Sequence, residues 1–151
     1  ANRRVREKHN KAIRKWAESH DKLLLITGHT HRPVFASISI LDELERRLGI
    51  DIDRITARSD DEEFWDDVVT DCMKRGWLGD AAPCGPPAPD GRKTLQPSLF
   101  NSGCCCYNDG RITGIEISNG AIRLVLWSPG TADGRRVLAS AALERVFERI
   151  A

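Results

Sequence analysis

The stretch Leu23-Leu24-Leu25-Ile26-Thr27-Gly28-His29-Thr30-His31-Arg32-Pro33 decides how this chain is interpreted. Residues 23–27 form a short apolar run with the length and composition of a β-strand covered on both faces. Gly28 ends the run and allows a sharp turn, and Pro33 stiffens the exit. Because ligands of α/β sheets collect at the carboxyl ends of strands, we expect a functional site at this point.

The two histidines are candidate metal ligands. His29 and His31 stand at alternate positions, so both imidazoles can lie on the same side of an extended loop. Neutral imidazole binds Mn, Fe, Zn or Ni. The spacing H-x-H alone also occurs in surface loops, and it is the preceding strand and glycine that favour a metal site. Arg32 is either a ligand of a phosphate oxygen or a salt-bridge residue of the loop.

The chain on both sides of this stretch is predicted to be mainly helical. A helix is expected over residues 2–19, where apolar residues recur at helical spacing and form a buried stripe. These residues are Val5, Ala12, Ile13 and Trp16. Further helices are predicted from Ile40 to Leu48 and from about Asp60 to Arg75. Residues 79–97, rich in proline and glycine, are predicted to be a loop.

The C-terminal third changes to strand patterns. Asn119-Gly120 predicts a tight hairpin between strands over 111–118 and 121–127. In the second of these strands one face is apolar, formed by Ile122, Leu124 and Leu126. Three antiparallel strands are therefore expected within residues 98–128. A closing amphipathic helix is predicted from Leu138 to Ile150.

Composition excludes several classes of protein. The 151 residues carry 23 Lys plus Arg and 22 Asp plus Glu, a net charge of +1, which gives no electrostatic basis for binding nucleic acid or an anionic membrane. No apolar run approaches the roughly 20 residues that cross a bilayer, and the charged N-terminus is not a secretory signal. We expect a cytoplasmic protein.

The five cysteines suggest a weaker alternative, a zinc or redox module. Cys104, Cys105 and Cys106 are consecutive, and neighbouring strand residues point to opposite faces, so the three cannot easily meet at one metal. Cys72 and Cys84 are too far apart for a C-x-x-C motif. Buried free thiols are the expected state in a reducing compartment.

Residues 24–33 resemble the last conserved block of the calcineurin-like metallophosphoesterases, in which a strand runs into G-H-x-H. Asn101-Ser102-Gly103, expected at the start of a later strand, resembles the C-terminal sheet of that family. The resemblance implies an α/β fold, namely the C-terminal half of an αββα sandwich. It also implies hydrolysis of a phosphate mono- or diester at two divalent metal ions. In that pattern His29 binds one metal and His31 the other.

The family pattern also requires D-x-H, G-D-x-x-D and G-N-H blocks upstream of G-H-x-H, and this sequence contains none of them. Two imidazoles cannot hold a dinuclear centre, so we expect the chain to be inactive alone and to need the upstream half of the same enzyme. The missing initiator Met and the first strand, which has no evident parallel partner, favour this interpretation. The 151 residues would then be part of one domain, with residues 40–78 as a helical insertion.

A non-catalytic relative of the same fold, serving as a binding or scaffold module, is the alternative. The insertion contains Phe64, Trp65 and Trp77 beside acidic residues, which would suit a contact surface. Buried core aromatics are the commoner explanation of such residues.

Overall fold

The computed structural model describes residues 3–28, 33–39, 96–103, 105, 110–130 and 134–150, with side chains from residue 8 onward. The helices predicted over 40–48 and 60–75, the insertion 40–78 and most of the loop 79–97 lie outside these residues. The described part is a mixed α/β structure with two helices and two sheets. Neither helix is long and apolar enough to cross a membrane.

The first helix, α1, spans Arg3–Glu18 and confirms the helix predicted over 2–19. Its buried stripe differs from the prediction, because Ala17 is fully buried whereas Trp16 is 53% exposed. The Trp16 ring instead lies against the ring of His20, with a centroid distance of 4.3 Å. The face of α1 that carries Ala17 therefore packs against the rest of the described structure.

The first sheet has the strand order β1-β4-β2-β3. Its strands are short and lie far apart in the chain. They are β1 (Leu25–Thr27), β2 (Val34–Phe35), β3 (Ile38–Ser39) and β4 (Leu99–Asn101). The β4 strand is parallel to β1 and antiparallel to β2. The expectation that the first strand has no parallel partner in this chain is therefore wrong, because its partner comes from residues 99–101.

Two further expectations about this sheet are corrected. Ile26 in the middle of β1 is 43% exposed, so the strand is not covered on both faces by the described residues. Asn101 ends β4 instead of starting a strand. An apolar run indicates that a strand can be buried. Which residues cover the strand depends on elements that are distant in sequence.

The second sheet is an antiparallel meander in the order β5-β6-β7. Its strands are β5 (Ile112–Ser118), β6 (Ala121–Trp127) and β7 (Arg135–Ala142). Asn119 and Gly120 both have positive φ, as the predicted tight hairpin requires. The three-stranded sheet is confirmed with a different membership, because residues 99–101 belong to the first sheet and β7 supplies the third strand.

The predicted helix over 138–150 is wrong in its first third. Residues up to Ala142 belong to β7, and the helix, α2, spans Leu143–Ile150. A register irregularity between Leu124 and Val125 inserts an extra residue in β7. It brings both Leu138 and Ala141 into the core, and their spacing of three imitates the apolar face of a helix.

One hydrophobic core joins both sheets and α2. Phe35 and Phe100 meet edge to face at a centroid distance of 5.0 Å on the first sheet. The second sheet contributes Ile122, Leu124 and Leu126, which confirms the predicted apolar face of β6. From α2 come Val146 and Ile150. The first sheet is thereby held against the second.

The outer face of the second sheet carries an ion pair that bridges its two outer strands. Arg135 on β7 reaches across β6, and its Nε lies 3.1 Å and 3.2 Å from the two carboxylate oxygens of Glu116 on β5. The hydrogen bond from Arg135, together with the positive charges of Arg135 and Arg123, lowers the pKa of Glu116. The guanidinium also lies 6.0 Å from the centre of the Trp127 ring.

Candidate functional site

The carboxyl ends of β1 and β4 lie side by side. The strands are parallel with Thr27 opposite Asn101, so both end at the same edge of the sheet. The pairing continues one residue further, since Ser102 N donates a hydrogen bond to Thr27 O at 2.9 Å. The Gly28-His29-Thr30-His31-Arg32-Pro33 stretch begins at this edge, where α/β proteins place their ligands.

The two ends of that stretch lie on either side of the carboxyl end of β4. Gly28 follows β1 on one side of β4, and Pro33 precedes β2 on the other side, where Val34 pairs with Asn101. His29, His31 and Arg32 lie outside the described residues. The structure therefore positions the two ends of the candidate site at one sheet edge and does not describe its three predicted residues.

Close packing fixes both ends of the stretch. A β-carbon added to Gly28 would come 3.0 Å from Ser102 Oγ. Gly103 has φ +80°, and a β-carbon there would lie 2.6 Å from Thr113 Oγ1 and 2.8 Å from Pro33 Cγ. Since Thr113 belongs to β5, Gly103 is held between the two sheets. At Gly103, where φ is also positive, this close approach requires glycine.

Asn101 is a buried polar residue at the centre of this edge that the sequence indicated only through its resemblance. It is 0% exposed. Its Oδ1 accepts a hydrogen bond from Gly103 N at 2.9 Å, whereas its buried Nδ2 has no acceptor among the described residues. The sequence carries one local signal, an asparagine directly after the apolar pair Leu99-Phe100, but this signal does not indicate the strand partners of Asn101.

The described residues contain no group of three or more His, Cys, Asp or Glu side chains that could hold a metal ion. His9 is exposed. His20 lies just after the end of α1, with its Nδ1 2.8 Å from Trp16 O. The predicted ligands His29 and His31 lie outside the described residues, and two imidazoles are too few for two ions without ligands from elsewhere.

Among the described residues, the zinc or redox alternative has one cysteine to draw on. Cys105 is exposed and forms no disulfide, so the prediction of buried thiols is wrong for this residue. The other four cysteines lie outside the described residues. No metal cluster of the described residues includes Cys105.

Comparisons of this chain with family models, curated proteins and solved structures find no match, so its resemblance to the metallophosphoesterases rests on the quoted residues.

Proposed function

We propose that this chain contributes the G-H-x-H part of a metal-dependent phosphoesterase that hydrolyses a phosphate mono- or diester. The observation that supports the proposal is the position of Gly28 and Pro33. These residues bound the histidine stretch and lie on either side of Asn101, at the common carboxyl end of two parallel strands. This is where α/β folds place metals and phosphates.

In this proposal, His29 and His31 each bind one of two divalent ions, and Arg32 binds a phosphate oxygen. Two divalent ions held there would supply polarisation of the phosphoryl group and a metal-bound nucleophile. The close approaches of Gly28 to Ser102 and of Gly103 to Pro33 also support the proposal, because they bring both ends of the stretch against the chain that follows β4. Manganese is the first ion to test.

The proposal extends to the fold and the missing ligands. The described sheets share one core, which is compatible with the C-terminal half of an αββα sandwich. The carboxylates, asparagine and further histidines of the dinuclear centre would come from an upstream part of the same enzyme. Activity should then require that upstream part, whereas the 151 residues alone remain inactive.

The test uses the natural polypeptide that contains this chain, supplied with Mn²⁺ and with p-nitrophenyl phosphate or bis-p-nitrophenyl phosphate. His29→Ala and His31→Ala should each abolish hydrolysis, whereas His20→Ala removes an exposed imidazole outside the site and should leave it unchanged. The two substrates distinguish a monoesterase from a diesterase. Near-normal turnover in either site variant contradicts the metal assignment, and an inactive natural polypeptide favours the non-catalytic binding module.

A further inference from the structure

The strand β5 lies at an edge of the second sheet. The strand order is β5-β6-β7, so within the described residues β5 has a neighbouring strand on one side only. All seven of its residues pair with β6, without a register irregularity. An edge strand of this kind presents a row of backbone N–H and C=O groups to which another strand can add.

The other sheet edges in the described part of the chain carry features that oppose strand addition. In the first sheet, the edge strands β1 and β3 have only three and two residues. In the second sheet, β7 contains the register irregularity, exposes Arg135 and Arg136, and continues directly into α2. Short length, bulges and charged side chains are the means by which native proteins protect sheet edges. The strand β5 is longer and contains no proline, lysine or arginine.

Glu116, the charged residue of β5, is neutralised within its own chain. Its two carboxylate oxygens lie 3.1 Å and 3.2 Å from Nε of Arg135, which reaches them from β7 across β6. The ion pair thus lies over the sheet and leaves no uncompensated charge on β5 for an acidic or basic partner strand to recognise. Two copies of β5 meet little repulsion, since the whole chain also has a net charge of only +1.

The hairpin turn determines which backbone groups of β5 point away from β6. Ser118 and Ala121 flank the two-residue turn, so they form the hydrogen-bonded pair that closes it. Hydrogen-bonded and non-hydrogen-bonded pairs alternate along an antiparallel ladder. Glu116 therefore bonds to β6, whereas Ile115 and Ile117 direct their N–H and C=O groups outward.

We propose that β5 pairs with the β5 strand of a second copy of this chain, antiparallel and about a two-fold axis at Ile115. The two three-stranded sheets would then form one continuous sheet. In this register Glu116 faces Gly114 of the second copy, so like charges are not directly opposed. Ile117, which is 54% exposed, lies along the pairing edge and is partly covered there. The pairing does not depend on the proposed function.

The test measures the mass of the natural polypeptide that contains this chain by analytical ultracentrifugation. From about 1 to 100 μM, a range that covers moderate affinities, the wild type should be a dimer in equilibrium with its monomer. Because the described part of the chain offers one unprotected edge, the assembly closes at two copies and larger species should not form.

Two variants and a matched control test the edge. Ile117→Lys adds a charge there, and Ile117→Pro removes an outward N–H where an edge strand tolerates proline. Each should raise the dimer Kd at least about 10-fold, because the change occurs at both symmetric contacts. Phe147→Lys adds the same charge at a residue that is 42% exposed on α2, and it should leave the Kd unchanged.

Hydrogen exchange of the wild type locates the contact and decides the question even if a variant does not fold. As the dimer forms, the amides of Ile115 and Ile117 should exchange more slowly, whereas that of Glu116, already bonded to β6, should not change. A wild type that stays monomeric at every concentration would overturn the proposal. So would a dimer whose exchange at Ile115 and Ile117 does not depend on concentration, or one that the folded Ile117 variants do not weaken.

Discussion

Gly103 lies against the ring of Pro33 so closely that a β-carbon on Gly103 would come within 2.8 Å of Pro33 Cγ. Pro33 is itself fully buried and ends the stretch that carries the two histidines. The contact joins the exit of that stretch to the chain that follows β4. The contact of the chain after β4 with Pro33 therefore depends on glycine at position 103.

Gly103→Ala should destabilise the protein strongly. The positive φ disfavours any β-carbon, and the contacts with Pro33 and Thr113 add overpacking, for a combined cost of about 2–4 kcal/mol. Gly120→Ala is the control, since Gly120 has φ +70° but nothing within 4 Å of the added atom. Its cost should be about 1–2 kcal/mol, from the backbone alone. Urea unfolding of both variants checks the difference, and equal losses would contradict the packing argument.

Ser37→Ala should destabilise the protein, because the Ser37 hydroxyl forms two hydrogen bonds within the first sheet. Ser37 Oγ donates to Gln96 O at 2.6 Å and accepts the N–H of Leu99 at 3.1 Å. Without the hydroxyl the buried N–H of Leu99 loses its acceptor, which costs about 1–3 kcal/mol. Ser140→Ala, at an exposed position of β7, should change the free energy of unfolding by less than about 0.5 kcal/mol. A Ser37→Ala protein as stable as the Ser140→Ala protein would refute this role.

The ion pair of Glu116 and Arg135 should make stability depend on pH in the acid range. The pKa of Glu116 is lowered in the folded protein from its ordinary value of 4.5, mainly by the hydrogen bond from Arg135. A lowered folded pKa means that the pair stabilises the protein above the unfolded value and that this contribution is lost as the pH falls through the folded pKa. Both side chains are about one-third exposed, so the effect is small.

Unfolding of Glu116→Gln and the wild type, measured from neutral pH downward, tests this sign. The two stabilities should converge as the pH falls, and at neutral pH high salt should also bring them together. A stability difference that stays constant with both pH and salt would show that the carboxylate charge is not involved.

Arg32→Ala should impair hydrolysis through substrate binding if the proposed function holds. Charge-assisted hydrogen bonds contribute about 1.5–3 kcal/mol, which corresponds to a loss of roughly 10- to 100-fold in kcat/KM. Arg32→Lys should recover only part of this, since an ammonium cannot form the bidentate pair. Arg123→Ala is the control, because Arg123 bonds to Ser118 on the second sheet. Unchanged kcat/KM in Arg32→Ala would contradict phosphate binding by Arg32 and favour a salt bridge within the loop.

Local patterns predicted the fold best. Asn119-Gly120 located a hairpin because a turn of this type depends on its own residues, and the strand over 121–127 followed from its alternation. The pairing of β1 with β4 could not be read in this way, since Thr27 and Phe100 are 73 positions apart. The strand β7 was missed because its bulge gives Leu138 and Ala141 the spacing of a helix face.

In the candidate site, too, the features that depend on neighbouring residues could be predicted, whereas those that depend on long-range pairing could not. The position of the histidine stretch at a strand end followed from Gly28 and the apolar run before it, which are adjacent in sequence. Asn101 could not be placed from the sequence, because its importance comes from its pairing with both Thr27 and Val34. Such a relationship exists only after strands from distant parts of the chain have met.

The strand order also has a consequence for the order in which the two sheets form during folding. The meander of β5, β6 and β7 joins neighbours along the chain, so its formation requires only short loops to close. Pairing β1 with β4 requires closing a loop of about half the chain. The entropic cost of closing this loop arises before any contact compensates for it. We expect pulse-labelled hydrogen exchange to protect the amides of β6 before those of β1. The sheet edge at which the histidine stretch begins would then form after the sheet of β5, β6 and β7.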